Sequence, residues 1–217
     1  MMYKVDLHTH SVGSPDGGLS VHHYEAMLER GGLDAIAITD HNSIEFAQQL
    51  QGKLGERIII GEEITTTDGE VIGLFLKHVI PEGLSLEQTV RAIRRQHGLV
   101  YVPHPFETVR HGLSLPALDS IAEQVDIIET HNGRAVFQNK SAAVRRWATT
   151  HHVPGAASSD AHGWHGWGRA YNEIAELPGR DNLVSLLAHA HHTTATVGWR
   201  GVLYPKLNRL RKRRAGQ

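Results

Sequence analysis

Short apolar runs alternate with amphipathic stretches along this chain. Apolar or period-2 runs predict strands over YKVDLHT (3–9), DAIAITD (34–40), RIIIGEEIT (57–65), EVIGLFLK (70–77), LVYVPH (99–104), VDIIETH (125–131) and GAASSD (155–160). Helical periodicity fills the gaps at 19–32, 43–55, 84–98, 113–124, 135–152 and 180–192. The first helix starts with Ser20 as a cap and stops at Gly31 and Gly32. Ser85 and Gln88 have capping-box spacing. Asp181 is a candidate cap for the last helix. A repeated strand–helix rhythm implies a parallel sheet with crossover helices. Closed on itself, such a sheet is a TIM-like barrel, but 217 residues are short for eight units, which take about 250. The expectation is an α/β barrel with fewer or irregular units, forming one domain over residues 1–202. Residues 203–217 are read as a basic C-terminal tail.

Composition narrows the class. Charged residues are 21% and hydrophobic ones 40%, which suits a folded domain rather than a disordered chain. No apolar run reaches the roughly 18 residues of a membrane span, and the start lacks a signal-peptide pattern. There are no cysteines, so disulfides and thiolate ligands are excluded. Together these features place the protein in the cytoplasm, with no membrane partner. The net charge of −1 hides an asymmetry. The last twelve residues, KLNRLRKRRAGQ, hold six of the 22 basic groups and no acid, which leaves 16 bases against 23 acids, or −7, in residues 1–205. The basic run reads as a solvated terminus, with contact to nucleic-acid or membrane phosphates as the alternative.

Candidate chemistry clusters at the predicted strand ends. DLHTH closes the first strand, TDHN the second, and GEEIT lies on the third. PHPF, ETHNGR and SSDAHG follow later strands. In a parallel barrel these ends open on one face, where active sites are built. Residues i and i+2 of a strand point to one side, so His8 and His10 can share an ion, and Asp160 and His162 repeat the spacing. His41 follows Asp40 at a strand end, and prolines on both sides fix the backbone at His104. Imidazoles with carboxylates suit Zn, Mn or Fe. Of the 17 histidines, His22, His23, His151, His152, His189, His191 and His192 read as solvated or helix-end residues. Trp164 and Trp167 flank His165 in a loop that could anchor a lid or stack on a ring.

DLHTHS, the acid of SPDG, TDH, GxE, HP and the final SDAH, in this order over residues 6–162, resemble the polymerase and histidinol phosphatase (PHP) superfamily of metal-dependent phosphoesterases. The resemblance implies a distorted (β/α)7 barrel holding three divalent ions at the C-terminal ends of the strands. Carried over residue by residue, His8, His10, Glu63 and Asp160 would hold the first ion. Glu63 would bridge to a second, completed by His104 and His131. Asp16, His41 and His162 would hold the third. GEE offers two carboxylates, so Glu62 and Glu63 are alternatives, with the GxE spacing favouring Glu63. The implied activity is hydrolysis of a small phosphomonoester through a metal-bound hydroxide. Arg134 is the candidate phosphate clamp, with a loop-capping arginine as the alternative. Asp6 and Asp40 are candidates for orienting ligand imidazoles, and Asp40 could instead cap a helix. Some nucleotide-specific members carry a helical insertion between GxE and HP; here the residues between Glu63 and His104 suffice only for a strand and a helix, which argues against a nucleotide-gripping subdomain. A nuclease or nucleotide phosphatase acting on nucleic-acid ends is the second reading. An amidohydrolase-type hydrolase lacks its bridging lysine, and a non-catalytic metal module would lack ligands. The sequence assigns no oligomeric state.

Overall fold

The computed structural model describes residues 2–135 and 138–215. In chain order the elements are β1 (Tyr3–Asp6), α1 (Val21–Glu29), β2 (Ala35–Ile38), α2 (Glu45–Leu54), β3 (Ile58–Thr65), β4 (Glu70–Leu74), α3 (Leu86–Arg95) and β5 (Leu99–Val102). They continue with α4 (Leu115–Ser120), β6 (Ile127–Asn132), α5 (Ser141–His151), β7 (Gly155–Ser158), β8 (Ala170–Ile174), α6 (Leu183–Leu187), β9 (His191–Thr194) and α7 (Gly198–Arg214). The strands form a nearly closed, barrel-shaped sheet in the order β7-β6-β5-β4-β3-β2-β1-β8-β9.

Strand alternation sorts the apolar residues into layers. Val5, Leu7, Ala35, Ala37, Ile59, Ile72, Leu74, Tyr101 and Ile127 pack together as the barrel interior. Their neighbours Ile36, Ile38 and Ile58 pack instead with residues of α1 and α2. Val100, Val102 and Ile128 pack with residues of α3, α4 and α5. Helix α3 shows how the sequence sets an element. Ser85 accepts from Gln88 N at 3.2 Å and donates its own N–H to Gln88 Oε1 at 3.0 Å. The buried residues Leu86, Thr89, Val90 and Ile93 follow the i, i+3, i+4, i+7 pattern. Burial of Leu86, Val90 and Ile93 contributes about 1.5–3 kcal/mol each. Loss of the Ser85 cap would cost about 1 kcal/mol.

The barrel closes in two ways. At the rim, Asp160 N donates to His8 O at 3.0 Å and His10 N to Ala161 O at 2.9 Å, joining the ends of β1 and β7. Lower down, β8 lies antiparallel to β1, and one side chain stitches it to β7. Asn172 Nδ2 donates to Ala157 O and to Val5 O, while Asn172 Oδ1 accepts from Ala157 N at 2.8 Å. His192 Nδ1 lies 2.9 Å from the same oxygen, so the buried amide is fully partnered.

Several details depart from the sequence reading. The sheet is not wholly parallel: β4 runs antiparallel to β3 and β5, and β8 and β9 form an antiparallel extension. The segment 180–192 is helical only at Leu183–Leu187, so His191 and His192 lie on a strand, not at a helix end. The helix expected from 135 begins at Ser141; Val136 and Phe137 lie outside the described residues. The boundary expected at 203 falls inside α7, whose Pro205 and Asn208 are buried; Gly216 and Gln217 lie outside the described residues. Trp167 is buried and donates Nε1–H to Asp6 Oδ2, and Trp164 stacks on His23, so both anchor their loop. No described helix is long and apolar enough to cross a membrane.

Candidate metal centre

Seven segments bring their side chains to the open end of the barrel. Past Asp6 the first strand loses regular pairing, and His8 and His10 turn their rings inward until the two Nε2 atoms are 3.0 Å apart. Glu63 ends up beside His41 because pairing of the second and third strands continues beyond Ile38: Glu63 N donates to Asp40 O, and Asn42 N to Glu63 O. Asp16 sits in a tight loop where a Cβ at Gly17 would collide with the Ser11 carbonyl oxygen. His104 and Asp160 hold left-handed backbone, with φ of 30° and 51°, a conformation that costs L-residues energy and collects at functional sites.

Glu63 is the hub. Its Oε2 lies 3.4 Å from His8 Nε2 and 3.2 Å from His10 Nε2, and its Oε1 lies 2.9 Å from His104 Nε2. Asp160 Oδ1 completes the first group at 3.4 Å from His10 Nε2 and 3.7 Å from His8 Nε2. Glu70 joins the second group, with Oε2 3.7 Å from His104 Nε2. A third group gathers His10, Asp16, His41 and His162. There Asp16 Oδ1 is 3.7 Å from His41 Nε2, and Asp16 Oδ2 is 3.5 Å from His162 Nε2. Glu62, next door, points away and accepts from Ile80 N at 2.9 Å.

His131 is the exception. The register of β6 against β7 shifts between Glu129 and His131, which marks a bulge. Alternation would put residue 131 on the same face as 129. With the extra residue, Asn132 takes the inward position and donates to Glu129 Oε2 at 2.8 Å. His131 is not in the Glu63–Glu70–His104 group. Glu70 stands there instead.

Supporting contacts also differ from expectation. Asp40 accepts from Ser11 N at 2.6 Å and from Ser11 Oγ. It neither bonds an imidazole nor caps α2, whose N-cap is Ile44. Asp6 accepts from His8 N, Ser159 N and Trp167 Nε1. Both aspartates thus fasten loops rather than rings. The ring of His8 is oriented by Glu129, whose Oε1 lies 3.1 Å from His8 Nδ1 and accepts from Tyr101 Oη at 3.0 Å. Glu129 Oε2 also accepts from His104 N at 2.7 Å. Arg134 Nη1 reaches both oxygens of Asp160 at 3.1 Å, and its buried Nε has no hydrogen-bond partner among the described residues. Arg110 binds Glu107, Asn132 and Asp160.

The electrostatics are those of a dense, buried cluster. Burial alone would raise Asp160 and Glu63, but Arg134 with His8 holds Asp160 well below the usual carboxylate range, and His8 with His41 does so for Glu63. Burial and the charge of Glu63 push Glu70 up to about 9. Burial, with His10 and Arg134 nearby, lowers His162 to about 3. His10 resists its own burial because Asp160 and Glu63 accept from it, and it rises to about 9. The groups bound a cavity of about 200 Å³ whose walls include Arg110, His111, Arg134, Pro205 and Arg209.

The arrangement fits divalent cations on its own chemistry. Imidazole nitrogens and carboxylate oxygens converge in three groups, and two imidazole nitrogens at 3.0 Å need a cation or a proton between them. Comparison with known proteins decides the family, because the PHP domain matches residues 6–194. The chain belongs to the PHP domain family. Protein MJ0417 of Methanocaldococcus jannaschii, described as uncharacterized, is 34% identical over 184 residues, covering 80% of this chain and 71% of its own length. MJ1587 of the same organism, also described as uncharacterized, is 33% identical over 149 residues, covering 63% of this chain and 87% of its own. A solved two-domain protein of Bacteroides vulgatus, described as containing a predicted PHP-like metal-dependent phosphoesterase, superposes with a TM-score of 0.74 at 18% identity. That match covers 96% of this chain and 70% of the other.

Proposed function

We propose that this PHP protein is a phosphoesterase that hydrolyses a small phosphomonoester at a centre of up to three divalent ions. The observation that carries the reading is Glu63, whose two carboxylate oxygens serve two different histidine groups under the Arg134 guanidinium. His8, His10, Glu63 and Asp160 would hold one ion; Glu63, Glu70 and His104 a second; Asp16, His41 and His162 a third. Such ions, when bound, activate water and neutralise phosphoryl charge. Zn, Mn and Fe match the donors, and the sequence-based location is the cytoplasm.

The chain's own residues do the rest. Glu129 fixes the ring of His8 and the backbone of His104, so the ligands are preorganised before anything binds. Arg134 lines the cavity while its Nη1 holds Asp160, which brings its guanidinium beside the place a phosphoryl oxygen would occupy. Arg110 has its guanidinium donors committed to Glu107, Asn132 and Asp160, so it braces Asp160 rather than gripping substrate. In the reaction a water oxygen bonds to phosphorus, the ester P–O bond breaks, and phosphate and an alcohol leave.

A phosphate-release screen with manganese tests the proposal across sugar phosphates, nucleotides, histidinol phosphate and short RNA. At least one monoester is expected to turn over. His8→Ala should abolish that turnover, and Arg134→Ala should lower kcat/KM by about 10²–10³-fold. Undiminished turnover by His8→Ala would refute the scheme.

A further inference from the structure

The PHP match stops at residue 194, yet α7 lies beyond it and builds one wall of the metal cavity. The helix is pinned from inside the site. Asn208 is buried, and its Nδ2 donates to Asp16 O and His162 O at 2.9 Å each. Arg209 Nη2 lies 2.8 Å from Asp16 Oδ2. One turn on, Lys212 Nζ donates to Val12 O at 2.7 Å and to Ser14 O. A second cleft opens on the far side of Arg209, between residues 12–15 and the three cations Arg209, Lys212 and Arg213, with no carboxylate in its lining. Arg209 forms part of both walls, so the cleft adjoins the metal cavity directly. Lys212 and Arg213 are three and four residues after Arg209, a separation of about one helical turn, or roughly 5.4 Å along the axis.

Ligand binding at the centre does not require these cations. Only Arg209 touches a candidate ligand, and Lys212 and Arg213 face the outer cleft. Cations at this distance would offset repulsion between a phosphate at the centre and a second anion beside it. We propose that the cleft is a second anion subsite, which holds a phosphate of the substrate other than the one hydrolysed. Arg209, Lys212 and Arg213 are then specificity determinants for a substrate with two phosphates. The inference rests on the phosphoesterase reading above. A small bisphosphate ester and the phosphorylated end of an oligonucleotide share this chemistry.

The test compares the full, manganese-loaded chain with its Lys212→Gln/Arg213→Gln variant. Rates are measured on 4-nitrophenyl phosphate, fructose 1,6-bisphosphate and 5′-phosphorylated tetrathymidylate. The variant should lower kcat/KM for a two-phosphate substrate, relative to 4-nitrophenyl phosphate, by at least about tenfold, the loss of one charge-assisted hydrogen bond. The change should lie in KM, and the charge-preserving variant Lys212→Arg/Arg213→Lys should restore the ratio. A fall with the sugar bisphosphate alone assigns the small ester, and one with the tetranucleotide alone assigns the strand end. An unchanged ratio on every substrate overturns the subsite. If the wild type hydrolyses no ester, the phosphoesterase reading fails separately. Calorimetric titration with inorganic pyrophosphate then judges the cleft: weaker binding by the Lys212→Gln/Arg213→Gln variant supports it, and equal binding rejects it.

Discussion

Glutamine at position 62 is expected to remove a pH-dependent loss of stability without touching the metal centre. Glu62 is fully buried, accepts one hydrogen bond from Ile80 N, and its other oxygen has no partner among the described residues. Burial pushes its carboxyl from the ordinary 4.5 to about 7. For an acid with a raised folded-state pKa, the protonated form favours folding. That contribution is full below 4.5 and is lost as pH rises through 7. At about 1.36 kcal/mol per pKa unit, the group should cost the wild type about 2–3 kcal/mol between pH 5 and pH 8. Glu62→Gln keeps the acceptor for Ile80 N and cannot ionise. Urea unfolding of both proteins with chelator present, from pH 5 to pH 8, should therefore show the variant gaining about 2–3 kcal/mol on the wild type across that range. A difference that stays constant with pH would refute the reasoning. Metal analysis supplies the contrast: Glu62→Gln should bind the full complement of manganese, whereas Glu63→Gln should lose ions from two groups at once.

His131→Ala should leave metal content unchanged and His104→Ala should lose one ion per chain, as plasma mass spectrometry would show. Metal binding should release protons and tighten from pH 6 to pH 9, because His10 and Glu70 both sit at about 9 before a cation displaces their protons; calorimetry in buffers of different ionisation enthalpy counts the protons. Asn172→Ala should cost about 2–4 kcal/mol in urea unfolding, since it strips partners from Ala157 and Val5 in the barrel seam.

The strand–helix rhythm was readable because apolar periodicity reports which side of an element is buried. The i, i+2 pairs His8–His10 and Asp160–His162 were readable for the same reason. Glu70 was not, because the other candidate ligands mark the C-terminal ends of parallel strands. β4 is antiparallel, so it is its first residue, paired with Thr65, that reaches the rim. His131 misled because a β-bulge leaves no mark in composition, yet it exchanges the faces of every residue after it. Glu129 and Asn132, two residues before and one after His131, carry the contacts instead. α7 was hidden by its charge. Six basic residues without an acid read as a solvated run, and only the tertiary contacts of Asn208, Arg209 and Lys212 show what the charge meets.

The seam of the barrel has a consequence for how the protein is made. The first strand emerges from the ribosome early, but the groups that cover it come from the far end of the chain: Asp6 is 153 residues from Ser159, and Val5 is 167 from Asn172. Contacts so remote in sequence form slowly and late. His8 and His10 meet Glu63 earlier, but they wait for Asp160, the last carboxylate of their group, until most of the polypeptide has been translated. Productive cation uptake is a property of the finished polypeptide, and a product truncated before residue 160 should appear in cells as an apo fragment with an open strand edge.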